Sequence, residues 1–261
     1  LSLHDALPIF PTRSFDSIWM APVAALRLLR VLLHVFRGLW VVYVTMHSKD
    51  ERGRMLATQR WAQQLLSVLG IDLVVHGQAH AGAKLVVANH VSWLDIMAID
   101  AVVPSRFVSK AEVGRWPLVG PLVTAAGTLY LQRERRRDAM RVLGLMSQAL
   151  KEGSTVAVFP EGTTGTGHGV LPFHGNLLQA AIDAKVPVQP VSLRYSDSCH
   201  HISPRAAYVG DTSLLQSLWW VVSSRGLTVH VTILAPQAVD HADRRSLAHL
   251  LQERISSAIP G

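Results

Sequence analysis

The sequence predicts an α/β fold: a mixed, largely parallel central sheet flanked by helices, with an amphipathic, membrane-associating helical segment at its N-terminus. Two observations carry this. From residue 71 onward, short apolar or β-branched runs alternate with stretches of helical periodicity, the pattern of a sheet built by crossover helices. Ahead of them lies a long apolar stretch, Ile18 to Met46, interrupted only by Arg27, Arg30, His34 and Arg37.

Composition narrows the function classes. Hydrophobic residues make up 49% of the 261 and charged residues only 16%, below the roughly 25% of ordinary soluble domains. Disorder is excluded, because disordered chains are charge-rich and apolar-poor. Lys and Arg outnumber Asp and Glu by 25 to 18, a balance suited to an anionic lipid surface. Nucleic acid is the other usual partner of a basic chain, but these basic residues lack interleaved aromatic platforms and match no nucleic-acid motif. The single cysteine, Cys199, rules out an internal disulfide and a Cys-rich metal site.

Taken in order, residues 1–9 lack periodicity and read as a non-native leader, residues 10–69 as a helical membrane-associating region, and residues 70–261 as the main domain. At about 100° per residue, the four basic groups of the first helix fall within about 80°, opposite Leu28, Leu32, Val35 and Leu39. A basic stripe against an apolar face suits a helix lying in the membrane interface. The alternative is a helix packed on the domain with its arginines in water. A tilted span would place arginines near mid-bilayer at roughly 2.5 to 3.5 kcal/mol each. A second helix, Glu51 to Leu69, is closed by Gly70.

Strands are expected at Ile71–Val75, Lys84–Ala88, Arg106–Ser109, Thr128–Leu131, Thr155–Phe159, Val188–Leu193 and Leu227–Leu234. Helical patterns fall at Trp93–Val102, Glu134–Lys151, Gly175–Ala184 and Leu247–Ala258. Gly162 to Gly169 reads as a loop.

The segment Asn89-His90-Val91-Ser92-Trp93-Leu94-Asp95 follows a strand directly, and sites in open α/β sheets lie beyond the carboxyl ends of strands. His90 and Asp95 are five residues apart, which on one helix places them about 140° from each other. They meet only if His90 sits on the turn before the helix and Asp95 in its first turn. An aspartate on one imidazole nitrogen leaves the other to take a proton from a hydroxyl. Ser92-x-x-Asp95 also reads as a capping box, and the two roles are compatible.

Three further segments follow: Gly127-Thr128-Leu129-Tyr130-Leu131-Gln132-Arg133, Phe159-Pro160-Glu161-Gly162-Thr163-Thr164 and Val186-Pro187-Val188-Gln189-Pro190-Val191. With NHVSWLD, in this order and spacing, they resemble the four blocks of the glycerolipid acyltransferases, in particular the 1-acyl-glycerol-3-phosphate acyltransferases. Ser109-Lys110 and Trp116-Pro117-Leu118-Val119-Gly120 are similar to that family's connecting sequence. The resemblance implies that His90 is the general base on the acceptor hydroxyl and that Asp95 orients it. It places Arg133, Glu161, Gly162, Thr163, Thr164 and Lys110 at the substrate, with Arg133 suited to hold a phosphate through paired hydrogen bonds. The implied partners are a lysophospholipid acceptor, acyl-CoA or acyl-carrier protein as co-substrate, and an anionic membrane at the cytoplasmic face of the inner membrane. No metal and no resident cofactor are expected.

Many members of the family carry arginine where this chain has Thr164, so another lysolipid, such as a lyso-ornithine lipid, is an alternative acceptor. A non-catalytic lipid-binding scaffold is the alternative from a different class. Cys199-His200-His201 lacks the spacing of a zinc site, His168 and His174 read as loop residues, and no G-x-S-x-G nucleophile elbow occurs.

Overall fold

The structure is a computed structural model that describes residues 16–131, 136–240 and 243–259. The leader expected at residues 1–9 and Arg133 lie outside these. Two helices open the described chain, α1 (Asp16–Val44) and α2 (Glu51–Leu69). There follow β1 (Ile71–His76), β2 (Lys84–Ala88), α3 (Leu94–Val102), β3 (Arg106–Lys110), α4 (Val119–Ala125) and β4 (Leu129–Leu131). Next come α5 (Arg136–Lys151), β5 (Thr155–Val158), α6 (Gln179–Ala184), β6 (Val188–Ser196), α7 (Leu214–Val222), β7 (Leu227–Ile233) and α8 (Arg244–Ser257).

The strands form one sheet in the order β1-β7-β6-β2-β5-β3-β4. Every neighbouring pair is parallel except β6 with β7. Strand β2 is central and buried along its whole length, as a strand covered on both faces must be. Its side chains alternate between two cores. Val86 and Ala88 pack with α2 and α3 residues such as Leu66, Leu94 and Ile99, whereas Leu85 and Val87 pack with Met146, Leu150, Leu178 and Leu251 of the opposite helical layer. Ala24, Ala62, Leu65 and Leu69 belong to the first of these cores, so α1 and α2 share it with the sheet.

Two helices carry no clear mark in the sequence. Helix α4 is a single short element containing Gly120 and Pro121, both poor helix formers. Helix α7 is a short run rich in Leu, Trp and Val, which periodicity alone does not separate from a buried strand.

On α1 the basic stripe divides: Arg27 and His34 face the protein, whereas Arg30 and Arg37 are exposed. Arg27 Nη1 donates to the carbonyls of Val222 and Ser224, each at 2.9 Å. These carbonyls end α7, where intrahelical donors run out and a cation is favoured. His34 is buried, its Nε2 lies 3.1 Å from the Trp61 carbonyl, and its ring stacks on Trp61 at 5.0 Å. Burial lowers the imidazole below its ordinary value. Arg37 donates to Gln64 at 2.8 Å. A side chain at Gly38 would meet the Trp61 indole, so glycine there permits the α1–α2 approach. The outward face is largely apolar, bordered by Arg30 and Arg37: Leu26, Leu29, Leu33, Phe36, Trp40 and Tyr43 are between 46% and 68% exposed. Of the apolar face expected from the sequence, Leu28, Val35 and Leu39 are half-buried and only Leu32 is exposed. Among the described residues no helix is long and apolar enough to cross a membrane.

Candidate active site

The site begins where β2 ends. After Ala88 the chain leaves the ladder, and Asn89 takes over its pairing with β6. The Asn89 side-chain amide donates to the Leu193 carbonyl at 2.9 Å and accepts the Leu193 N–H at 2.7 Å. This buried clamp carries the β2–β6 contact past the last ladder pair, Ala88 with Val191.

His90 lies on the turn before α3, and Asp95 is in that helix's first turn. His90 Nδ1 is 2.8 Å from Asp95 Oδ2. The same carboxylate oxygen accepts the backbone N–H groups of Val91 at 2.6 Å and Ser92 at 2.8 Å. The capping box therefore forms only in its acidic half: Ser92 Oγ is buried without a partner, and the residue preceding α3 is Trp93, which makes no side-chain cap. The reason is that Asp95 turns back onto the N–H groups before the helix, leaving the serine hydroxyl facing the core.

Asp95 has no solvent exposure, while the His90 side chain retains 20%. With Nδ1 donating to the carboxylate, the neutral ring presents Nε2 as a hydrogen-bond acceptor, and among the described residues Nε2 has no partner. The ring stacks on Phe159 with centroids 4.1 Å apart and planes 11° apart, and Phe159 stacks in turn on Phe107. The imidazole is thus held in its plane by an aromatic wall and in its tautomer by a carboxylate.

The turn after β5 holds the backbone of the same histidine. Glu161 Oε1 accepts the His90 N–H at 2.7 Å, and the Gly165 N–H donates to the His90 carbonyl at 2.7 Å. Glu161 Oε2 accepts the Leu171 N–H at 3.1 Å. Glu161 therefore ties the His90 turn to the Gly-rich loop. Gly162 has φ 71°, a left-handed conformation suited to glycine, and its N–H closes the turn onto the Phe159 carbonyl at 3.1 Å. Thr163 is exposed. Thr164 Oγ1 donates to the Tyr208 carbonyl, and the Tyr208 N–H reaches the Val91 carbonyl at 3.0 Å. Its hydroxyl proton is thus committed to the protein backbone.

Burial of Glu161 pushes its carboxyl up to about 7 against the hydrogen bonds from His90 and Leu171 that lower it. In the unfolded chain the group titrates near 4.5. Its contribution to stability is therefore full below that value and lost as pH rises through 7, since the folded state holds the proton more tightly. We expect wild type to lose stability relative to Glu161→Gln between pH 5 and 8, read from denaturant midpoints. A pH-independent difference would mean that the carboxyl ionises freely in the fold.

The remaining sequence candidates are more dispersed. Lys110 is exposed at the end of β3, two strands from β2 and so about 10 Å across the sheet. In the loop after β6, Asp197 accepts the N–H groups of Cys199 and His200, and His200 Nδ1 lies 2.9 Å from it. No group of three or more His, Cys, Asp or Glu among the described residues could hold a metal ion.

One member of the site escaped sequence reasoning. Tyr195, on β6, donates its hydroxyl proton to Asp95 Oδ1 at 2.8 Å and is itself buried. A separation of 100 residues hides this pairing from any spacing rule.

A partly exposed imidazole backed by a buried carboxylate, at the C-terminal edge of a largely parallel sheet, is an arrangement that can accept a proton from a hydroxyl. Comparison with known proteins gives the family. Residues 72–194 match the family model described as Acyltransferase. The chain is 39% identical over 198 residues to the 1-acyl-sn-glycerol-3-phosphate acyltransferase of Neisseria meningitidis serogroup B, covering 75% of this chain and 77% of that one. It is 36% identical over 208 residues to the lyso-ornithine lipid O-acyltransferase of Pseudomonas aeruginosa, covering 80% of each. The crystal structure of the 1-acyl-sn-glycerophosphate acyltransferase from Thermotoga maritima shares the fold, with TM-score 0.64 and 23% identity over 89% of this chain and 96% of that one. The chain belongs to the glycerolipid acyltransferase family.

Proposed function

We propose that the protein moves a fatty acyl group from acyl-CoA or acyl-carrier protein to the free hydroxyl of 1-acyl-glycerol-3-phosphate, giving phosphatidic acid. The observation that carries this is the His90–Asp95 pair, with Nε2 left over for a substrate hydroxyl. His90 Nε2 takes the hydroxyl proton as the oxygen attacks the thioester carbonyl. The C–S bond then breaks, and the leaving sulfur receives the proton from the imidazolium, which Asp95 stabilises meanwhile. Neither a covalent acyl-enzyme nor a metal is required by this sequence of steps. Arg133 is assigned to the acceptor phosphate on the family resemblance.

A second reading is favoured by one feature. The family resemblance leads one to expect arginine at Thr164, whose hydroxyl is instead spent on the Tyr208 carbonyl. A headgroup without a phosphate monoester, such as that of a lyso-ornithine lipid, needs no charge there. The deciding experiment measures free-thiol release from palmitoyl-CoA with lysophosphatidic acid, lyso-ornithine lipid or no acceptor. Release that requires lysophosphatidic acid is the expected result. A preference for lyso-ornithine lipid would change the substrate and keep the chemistry, and acceptor-independent release would replace the transferase with a hydrolase.

We further propose that the protein works as a peripheral or monotopic protein on the cytoplasmic face of the inner membrane. The exposed apolar face of α1 supports this, bordered by the exposed Arg30 and Arg37, which are placed to meet anionic headgroups. Replacing Leu33, Phe36 and Trp40 together by Glu is expected to release the protein from phosphatidylglycerol-containing vesicles in a flotation assay. Unaltered flotation would remove α1 as the contact.

A further inference from the structure

Asp95 is more heavily committed than orientation of one histidine requires. Its Oδ2 receives His90 Nδ1 and the N–H groups of Val91 and Ser92, all on the short turn that connects β2 to α3. Among the described residues its Oδ1 receives one partner, from elsewhere in the fold: the Tyr195 hydroxyl at 2.8 Å. Both groups are buried, Asp95 at 0% and Tyr195 at 2% exposure, so no water substitutes for the phenol. Its placement is built rather than incidental. The Asn89 clamp pins Leu193 of β6 to the end of β2, two residues before Tyr195, and the Ser203 N–H donates to the Tyr195 carbonyl at 2.8 Å. Burial, with the adjoining Asp95 charge, raises the phenol well above its ordinary value, so it stays protonated and donating through the working range.

Resting on the transferase reading above, we infer that Tyr195 is a positioning residue for the reaction, acting on His90 through Asp95. A carboxylate can rotate about its bond to Cβ. With Oδ1 tied to the phenol, Oδ2 stays on His90 Nδ1 and Nε2 keeps its direction. The same hydrogen bond draws charge towards Oδ1 and away from the imidazole. Without it, the carboxylate turns more of its charge to His90 and favours the protonated ring, and its one anchor from outside the turn is lost.

Tyr195→Phe keeps the ring and removes one oxygen. Its kcat is expected to fall on the order of tenfold with acceptor KM unchanged, the loss of one charge-assisted hydrogen bond in the supporting layer. The acid limb of its kcat/KM profile is expected to move up by about half a pH unit, a change that loosened packing alone does not produce. In an Asp95→Asn background the same substitution is expected to cost less than about twofold, because the partner through which it acts is already altered. Wild-type kcat with an unmoved acid limb in Tyr195→Phe overturns the assignment. So does a fall in kcat without movement of that limb, or an undiminished tenfold loss in the Asp95→Asn background. Normal turnover by His90→Ala would instead remove the reading on which the inference rests, so the two failures are told apart.

Discussion

His90→Ala is expected to lower acyl transfer by on the order of 10³-fold or more, with little change in fold. General-base catalysis contributes typically about 10² to 10⁴, and here the loss falls at the upper end because nothing stands ready to replace the imidazole. Glu161, the next carboxylate, is spent on two backbone N–H groups, and Asp95 is enclosed without exposure. The ring stacks on Phe159 at 4.1 Å but is one-fifth exposed, so its removal leaves a solvent-filled notch rather than a core cavity. Initial rates of thiol release with saturating acceptor check the expectation. Turnover near that of wild type would transfer the base to another residue, and a protein that still bound lysolipid with no turnover in either form would revive the scaffold alternative.

The second large effect belongs to Asp95→Asn, expected to lower kcat on the order of 10³ to 10⁴-fold. The amide preserves shape while reversing chemistry. An Nδ2–H group directed at His90 Nδ1 favours the tautomer with its proton on Nε2, where an acceptor is needed. An amide oxygen in the place of Oδ2 keeps the tautomer but gives up the charge that stabilises the imidazolium. The N–H groups of Val91 and Ser92, both on Oδ2, favour oxygen there, so the second outcome prevails locally. Tyr195 is then left to donate to an Nδ2–H group, which has no lone pair for it. A melting temperature several degrees lower should accompany the kinetic loss, since a buried hydroxyl without an acceptor costs about 1 to 3 kcal/mol. A variant with wild-type kcat would confine Asp95 to capping the turn.

Much of the fold could be read from the sequence because each strand announces itself locally. The runs at Lys84–Ala88 and Leu227–Leu234 are β-branched and bounded by turn residues, and they coincide with β2 and β7 to within a residue. Helices α4 and α7 were hidden by short length and ambiguous composition. The orientation of α1 was hidden for a different reason. Periodicity reports that Arg27, His34 and Arg37 share a face, and water is the ordinary partner of such a face. The carbonyls at the end of α7 claim Arg27 and the Trp61 carbonyl claims His34, while Arg37 stays exposed, and no window within the helix contains those groups. The site divides the same way. His90 and Asp95 are five residues apart and Glu161 marks its own turn, whereas Phe159 as a stacking wall, Asn89 as a strand clamp and Tyr195 as a carboxylate partner are properties of strands brought side by side.

The bond from Arg27 to the end of α7 also has a history in time. Its two ends are separated by 195 residues, which at roughly 5 to 20 residues per second takes a ribosome about 10 to 40 s to synthesise. Throughout that interval Arg27 has no α7 carbonyl to which it can donate. The contact between the first helix and α7 therefore closes only near the end of synthesis, and α1 is not fixed through Arg27 before then.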